Sequence, residues 1–496
     1  MELREAFDYP LSRLDPFADH IDPPSVAVYE TLIVKGPDGN PHPGLASSWT
    51  ISDDGLEWQL RLRPQARFHS GDRCDARAVV EALEALRFGF HGGQQLWYWD
   101  PVDTVEPIGD DLLTIRLHDP YARLPSLLWG THTAIHNERR RAADPAGSGI
   151  DWADGTGPFQ FGSYAQERLE VTRWDDYPGS EAAFLQLTNE RAVDRIVWTS
   201  MLDPAERVLA LESGLVDCLH GPNYGDVARL EHDPRFEVVR FSQASNLYLA
   251  PNWERTGLGF DDLRVRQAIS LAIDRGRVVR DALLGYGSPT FGPLSVDGEF
   301  YDPAVEAGGQ QDAQRAAALL DQAGWQFGDS ALRERDGIPL SFECVIQDDT
   351  IHRTVAELIR ADLREVGVEM RLRPVLTFKG FYEACREGPD AFINKWLWQD
   401  PVDAALGFSA SRGLPDPNWQ HASVPELDQA YRSWILASNR DELFAAAAQV
   451  QRISADQLPS IPVVVPEDVW VRTKRVENWN PAQSILYPFY HRTIVS

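Results

Sequence analysis

The chain has 496 residues, too many for one hydrophobic core, so two or three domains are expected. A hydrophobic content of 43% with sixteen tryptophans excludes a disordered chain. The net charge of -28 comes from acids spread along the whole length, with no basic patch of the kind that binds nucleic acid.

The predicted elements follow from periodicity. Glu57 to Arg63 alternates polar and apolar residues, as does Leu113 to His118, and both read as strands with one buried face. Between them, Ala76 to Leu86 reads as a helix capped by Asp75, with Val79, Leu83 and Leu86 on one face. A second helix starts near Asp262. Val265, Ile269, Ala272 and Ile273 form its stripe, and Arg264, Arg266 and Arg275 are placed on the wet side. Ala316, Leu319, Leu320 and Ala323 mark a third helix, ended by Gly324. Val355, Leu358, Ile359 and Leu363 mark a fourth, with Gly367 behind it and a strand over Val368 to Val375. The alanines 445 to 448 lie in a further helical segment. Helix followed by strand is the pattern of α/β layers.

Few motifs carry chemistry. Gly155-Thr156-Gly157-Pro158 and Gly285-Tyr286-Gly287 lack the spacing of a phosphate loop, and Pro158 removes an amide such a loop would use. His132 and His136 have the spacing of a helical metal face but no acidic partner in the zinc-protease pattern, so no metal and no cofactor is expected. Cys74, Cys218, Cys344 and Cys385 form no metal or redox pair; Cys218 and Cys344 have apolar neighbours and read as buried thiols, and one disulfide stays open. No serine elbow and no distinguished pair of acids points to catalysis. No stretch approaches the roughly 18 apolar residues of a membrane span. The first residues show no basic head followed by an apolar run, so a cytosolic protein and one that has lost a leader both stay open.

The most informative segment is Phe392-Ile393-Asn394-Lys395-Trp396-Leu397-Trp398-Gln399-Asp400-Pro401. Two indoles, an amide and a carboxylate within five residues suit the holding of a polar solute, with flat apolar faces beside orienting groups. The competing reading is two core tryptophans and a loop acid.

A series of short motifs begins with Leu14-Asp15-Pro16, Val28-Tyr29-Glu30-Thr31-Leu32 and Gly44-Leu45-Ala46-Ser47-Ser48-Trp49. It continues through Asp54-Gly55-Leu56-Glu57-Trp58, Phe68-His69-Ser70-Gly71-Asp72 and Gly155-Thr156-Gly157-Pro158-Phe159. Leu211-Glu212-Ser213-Gly214-Leu215-Val216-Asp217, Phe260 to Ile269 with Ala272-Ile273-Asp274-Arg275, the Gly285-Tyr286-Gly287 turn, and Leu319 to Trp325 complete it. Taken in order, the series resembles the family-5 solute-binding proteins of ATP-driven importers, the peptide, nickel and oligosaccharide class.

The resemblance implies a two-lobed α/β periplasmic-binding-protein-like fold with an inserted domain and a ligand cleft between lobes. It places lobe 1 at residues 1–28, 155–245 and 465–496, the insert at 29–154 and lobe 2 at 246–464. It implies a monomeric, non-catalytic receptor that closes on a small-molecule solute (sugar, peptide or opine-like) and hands it to the transmembrane permease subunits of an ABC importer, in the periplasm or at the cell surface.

In peptide-binding members a Gly-Trp-x-x-Asp element supplies a backbone edge, a stacking Trp and an Asp for the peptide ammonium. Trp396 matches the Trp, but Lys395 replaces the Gly, Gln399 stands where the Asp should be, and Asp400 comes one residue late. An amide beside two indoles suits a neutral polyol or a cation held by aromatic faces, so an oligosaccharide-like or other polar solute is favoured over a peptide. The resemblance makes Trp396, Trp398, Gln399, Asp400, Asn246 and Tyr248 ligand-binding candidates. Phe17, Trp97 and Trp99 are candidates from the opposite wall, with core packing as their competing reading. Two other readings are a cytosolic ligand sensor on the same fold and a glycosidase.

The aromatic run generates a test. Trp396→Ala is expected to weaken solute binding by about 2 kcal/mol or more, the scale of a buried aromatic anchor. Trp398→Ala is expected to differ, because alternate side chains of an extended segment face opposite ways. Titration calorimetry on folded variants checks this, and wild-type affinity in both removes the run from the site.

Overall fold

A computed structural model of the protein describes residues 1–8, 11, 14, 23–88, 99–143, 153–165, 167–186, 192–243, 246–328, 331–395, 402, 405–406, 409–482 and 488–496. The chain divides into two units, one formed by Met1–Phe241 with Asp468–Ser496 and one by Ser242–Glu467.

The first unit opens with β1 (Glu2–Phe7). A separate antiparallel sheet follows, built from β2 (Ala46–Ile51), β3 (Glu57–Leu62), β4 (Val102–Ile108) and β5 (Leu112–Leu117) in the order β2–β3–β5–β4, with α1 (Ala76–Phe88) packed on it. The alternation predicted for β3 is present: Trp58, Leu60 and Leu62 are buried and the residues between them are not. Asp75 caps α1, its carboxylate accepting from the Ala78 amide at 3.0 Å, and Val79, Leu83 and Leu86 are fully buried. The chain then forms β6 (Phe159–Ala165), β7 (Arg168–Arg173), β8 (Arg195–Ser200), α2 (Pro204–Glu212) and β9 (Cys218–His220). β1 lies between β8 and β9 and is parallel to both.

What joins these segments is buried polar chemistry. Glu5, in the middle of β1, is 1% exposed. Its carboxylate accepts from the indole of Trp198 on β8 at 2.6 Å, from the hydroxyl of Tyr490 at 2.8 Å and from the indole of Trp479. Beside it, Asp217 is buried and pairs with Arg4 and with Arg475, both at 2.9 Å. His220 sits between Asp8 at 2.9 Å and Asp468 at 2.7 Å. Burial alone would lower the imidazole pKa, but the two carboxylates outweigh it and push it up to about 10. Arg63, just past β3, forks onto Glu30 at 2.9 and 2.7 Å, and Tyr177 donates to the same carboxylate at 3.0 Å.

The second unit contains β10 (Leu247–Pro251), α3 (Leu263–Ala272), α4 (Arg275–Asp281), α5 (Ala313–Gln322), β11 (Ser341–Gln347), α6 (Thr350–Glu365), β12 (Glu369–Val375), α7 (Phe378–Arg386), β13 (Ala391–Lys395), α8 (Pro425–Leu436) and α9 (Arg440–Gln457). The last long strand, β14 (Ile461–Thr473), serves both units in turn: Ile461 to Val464 pair with β10, and Trp470 to Arg472 pair with β9. The sheet of the second unit runs β12–β11–β13–β10–β14. β11 is parallel to both β12 and β13, so the chain leaves β11 for one neighbour and returns to the other.

The helix stripes read from the sequence are buried as expected, with Val265, Ile269, Ala272 and Ile273 in the core and Gly324 and Gly367 at positive φ behind α5 and α6. Two arginines correct the expectation of a wet face. Arg264 is exposed, but Arg266 and Arg275 are 2% and 4% exposed. Arg266 donates to the carbonyls of Phe260 and Gln457 and lies 3.7 Å above the Trp253 ring. Arg275 donates to the carbonyls of Ser270, Thr290 and Pro462. A guanidinium has five donors in a fixed fork, and here they gather carbonyls from segments far apart in sequence. Burial pulls both pKa values down, to about 10, which leaves both side chains charged near neutral pH.

Glu5 gives a pH test. Burial is the largest influence and pushes its carboxyl up to about 7, against the three donors, which favour the ionised form. A raised carboxyl contributes stability that is fully present below its unfolded value of about 4.3 and is lost as pH rises through the folded one. Glu5→Gln keeps the shape but leaves donors short of acceptors, and is expected to lower stability by about 1–3 kcal/mol. The gap between wild type and variant should be widest in acid and shrink as pH rises through about 7. Urea titrations across that range check it, and a constant gap would sink the assignment.

Candidate functional site

In an α/β sheet, ligands are bound outside the carboxyl ends of parallel strands, beside the strand where the chain reverses its order. In the second unit that strand is β11, and the carboxyl edge lies at Gln347, Val375 and Lys395. The groups gathered there come from three elements: β10, β13 and the start of α6.

Tyr248 on β10 stands opposite Asn394 on β13 in the antiparallel register. Both are buried, and the Asn394 amide donates to the Tyr248 hydroxyl at 3.4 Å. The Tyr248 ring meets Phe392 edge to face at 6.3 Å, and burial raises its phenol pKa above the ordinary value. Lys395 ends β13 half-buried. At the start of α6, Asp349 accepts from the His352 amide at 2.9 Å and from the His352 ring at 2.6 Å. Burial raises the Asp349 pKa, but the His352 hydrogen bond and charge, with the Lys395 charge, outweigh it and leave the carboxyl below its usual range.

The other sequence candidates fall as follows. Asn246, one residue before β10, is 2% exposed, and its amide is committed to the Gly292 carbonyl at 2.9 Å. Trp99 belongs to the first unit, is fully buried, and its indole N–H has no partner among the described residues. Phe17, Trp97, Trp396, Trp398, Gln399 and Asp400 lie outside the described residues. Of the nine candidates, the structure therefore places Tyr248 on β10 and Asn246 just ahead of that strand. Asn394, Asp349 and His352 were not among the candidates. Asn394 lies within the aromatic run of the sequence, but that it stands opposite Tyr248 is supplied only by the strand register.

The sites set aside are structural. A Cβ on Gly155 would lie 2.2 Å from the Val28 carbonyl, and one on Gly157 2.7 Å from it, so these glycines allow close backbone approach. His132 is half-buried and His136 is buried, with its Nε2 on Glu138 at 2.9 Å. All four cysteines are buried free thiols. Among the described residues no group of three or more His, Cys, Asp or Glu is arranged for a metal ion, and no helix is long and apolar enough to cross a membrane.

The sequence profile of the bacterial extracellular solute-binding proteins, family 5 (middle region), matches residues 40–414. The chain belongs to this family. The nickel-binding periplasmic protein of Escherichia coli K12 is 27% identical over 400 residues, covering 78% of this chain and 72% of its own. Heme-binding protein A of Haemophilus influenzae is 25% identical over 467 residues, covering 88% and 82%. Among solved structures, the oligopeptide-binding protein AppA of Bacillus subtilis with a nonapeptide superposes at a TM-score of 0.87, with 19% identity, over 100% of this chain and 99% of its own. AgaA of A. tumefaciens R10 with agropinic acid gives 0.85 and 20%, over 100% and 99%. The fold is therefore the mixed α/β fold of two-lobed, family-5 binding proteins, and the function class is solute binding.

Asn246 supplies a test that separates scaffold from contact. Asn246→Ala removes the donor to the Gly292 carbonyl and is expected to lower stability by about 1–3 kcal/mol, the penalty of a buried group left unpaired. Chemical denaturation measures it, and a change under about 0.5 kcal/mol, the range of surface substitutions, contradicts the assignment.

Proposed function

We propose that the chain is the solute receptor of an ABC importer, working outside the cytoplasmic membrane, and that its solute is a small polar molecule built from amino-acid-like parts, such as a short peptide or an opine. Membership of a family of extracellular solute-binding proteins supports the receptor role. The periplasmic relatives support the location. Residues 29–154 are read as a domain inserted into the first unit, and closure of the two units on the solute is part of the proposal.

The observation that carries the ligand class is the carboxyl edge in the second unit. Tyr248 and Asn394 are neutral hydrogen-bonding groups, and Lys395 ends the adjoining strand. Neutral polar groups beside a cation suit amide and carboxylate functions. The relatives reported above, named for nickel, heme, peptides and agropinic acid, lend no support to the oligosaccharide favoured from sequence. Lys395 in place of the glycine of the peptide-binding element favours a solute whose anionic end approaches this edge.

A thermal-shift panel of di- to pentapeptides, opine-type compounds and oligosaccharides tests the class. A solute at 100 times its dissociation constant adds about 2.7 kcal/mol of stability. Stabilisation by peptides or opines is expected. Stabilisation by oligosaccharides alone returns the ligand to the sugar class, and a flat response to all three rejects both. Small-angle scattering with a stabilising compound should show a smaller radius of gyration than without it, and an unchanged radius at saturation contradicts closure.

A further inference from the structure

Resting on the receptor reading, we infer that Asn394 and Tyr248 form a paired contact point for one neutral group of the solute that carries a hydrogen-bond donor and an acceptor side by side. Asn394 is fully buried, and its Oδ1 has no hydrogen-bond partner among the described residues. Its Nδ2 reaches only the Tyr248 hydroxyl, at 3.4 Å, beyond the usual range for such a bond. Turning the amide over does not repair this. The hydroxyl would then donate to Oδ1, and the two N–H groups of Asn394 would take over the deficit. In either orientation the pair has hydrogen-bonding capacity that the described residues do not use: an acceptor on Asn394 with the hydroxyl proton of Tyr248, or the N–H donors of Asn394 with the lone pairs of that hydroxyl.

Buried amides in a protein interior are normally paired, so an orphan is informative about function when its place fits one. Here it does. Asn394 is the penultimate residue of β13, at the carboxyl edge beside β11, where the chain order reverses. The strand pairing holds it rigidly opposite Tyr248, and the ring of Tyr248 is braced by Phe392. Both groups are neutral, so an ammonium brought against them would lack a counter-charge, and a carboxylate is better matched by Lys395. An amide unit or a hydroxyl matches them, since each offers a donor and an acceptor within one small group. The contact selects for the presence of such a group, because a solute lacking it leaves both side chains buried and unpaired.

Two substitutions test the assignment, with trialanine as the amide probe and maltotriose as the hydroxyl probe. Asn394→Leu replaces the orphan with an apolar side chain of similar size. The free variant is expected to melt at a higher temperature than wild type while binding the active probe about tenfold more weakly or worse, the loss of roughly one such bond. Tyr248→Phe, a milder change should the leucine disturb folding, is expected to leave the melting temperature of the free protein within a degree or so and to weaken the same probe similarly. A structural role predicts the opposite for the first variant, a lower melting temperature with unchanged affinity, and overturns the inference. So does wild-type affinity in both variants. If trialanine is the probe that binds, the amide is the matching group; if maltotriose, the hydroxyl. Should neither bind the wild type, the short-peptide form of the ligand class proposed above fails, and the melting comparison of the free proteins still decides here: a rise for Asn394→Leu upholds the orphan, and a fall overturns it.

Discussion

A single buried carboxylate organises the first unit. Glu5 lies in β1, yet its three donors come from residues 198, 479 and 490, so one side chain ties the start, the middle and the end of the chain. Asp217 repeats the arrangement through Arg4 and Arg475. Hydrophobic burial is non-directional and could be met by many pairings of these strands. Buried polar groups are not so permissive, because each wrong pairing leaves one of them unsatisfied. A unit interrupted by 226 residues of another thereby acquires a specific address for its last segment.

The second unit uses a different device for the same problem. Its loops are gathered by Arg266 and Arg275, whose donors meet only carbonyl and hydroxyl oxygens. No carboxylate is needed, because carbonyls at helix ends and loop corners already present partial negative charge. The charge persists in the interior because the guanidinium binds its proton so tightly that even burial leaves it ionised at neutral pH.

Much of this was legible in the sequence, and the failures have common causes. Local periodicity carried the helices at Ala76, Leu263, Ala313 and Thr350 and the strands at Glu57 and Leu112, because each buries one face. The ordered motifs carried the family. The buried arginines were misplaced because a stripe argument sorts residues by polarity and is blind to long-range acceptors. The pairing of Tyr248 with Asn394 was hidden for a related reason: it depends on strand register across 146 residues, and nothing local encodes which residue stands opposite. The bond from the Asn246 amide to the Gly292 carbonyl, 46 residues on, is likewise invisible to local pattern.

The shared strand β14 has a consequence for how the chain comes into being. The second unit is contiguous and ends at Glu467, whereas the first needs Asp468–Ser496 to supply Asp468, Trp479 and Tyr490. During synthesis from the N-terminus, the part made first is thus the part finished last. Glu5 lacks Trp479 and Tyr490, and Asp217 lacks Arg475, until residues 468–496 have left the ribosome. A nascent chain stalled shortly after Glu467 would hold a completed second unit and an unfinished first one, so the order of translation and the order of native closure run in opposite directions.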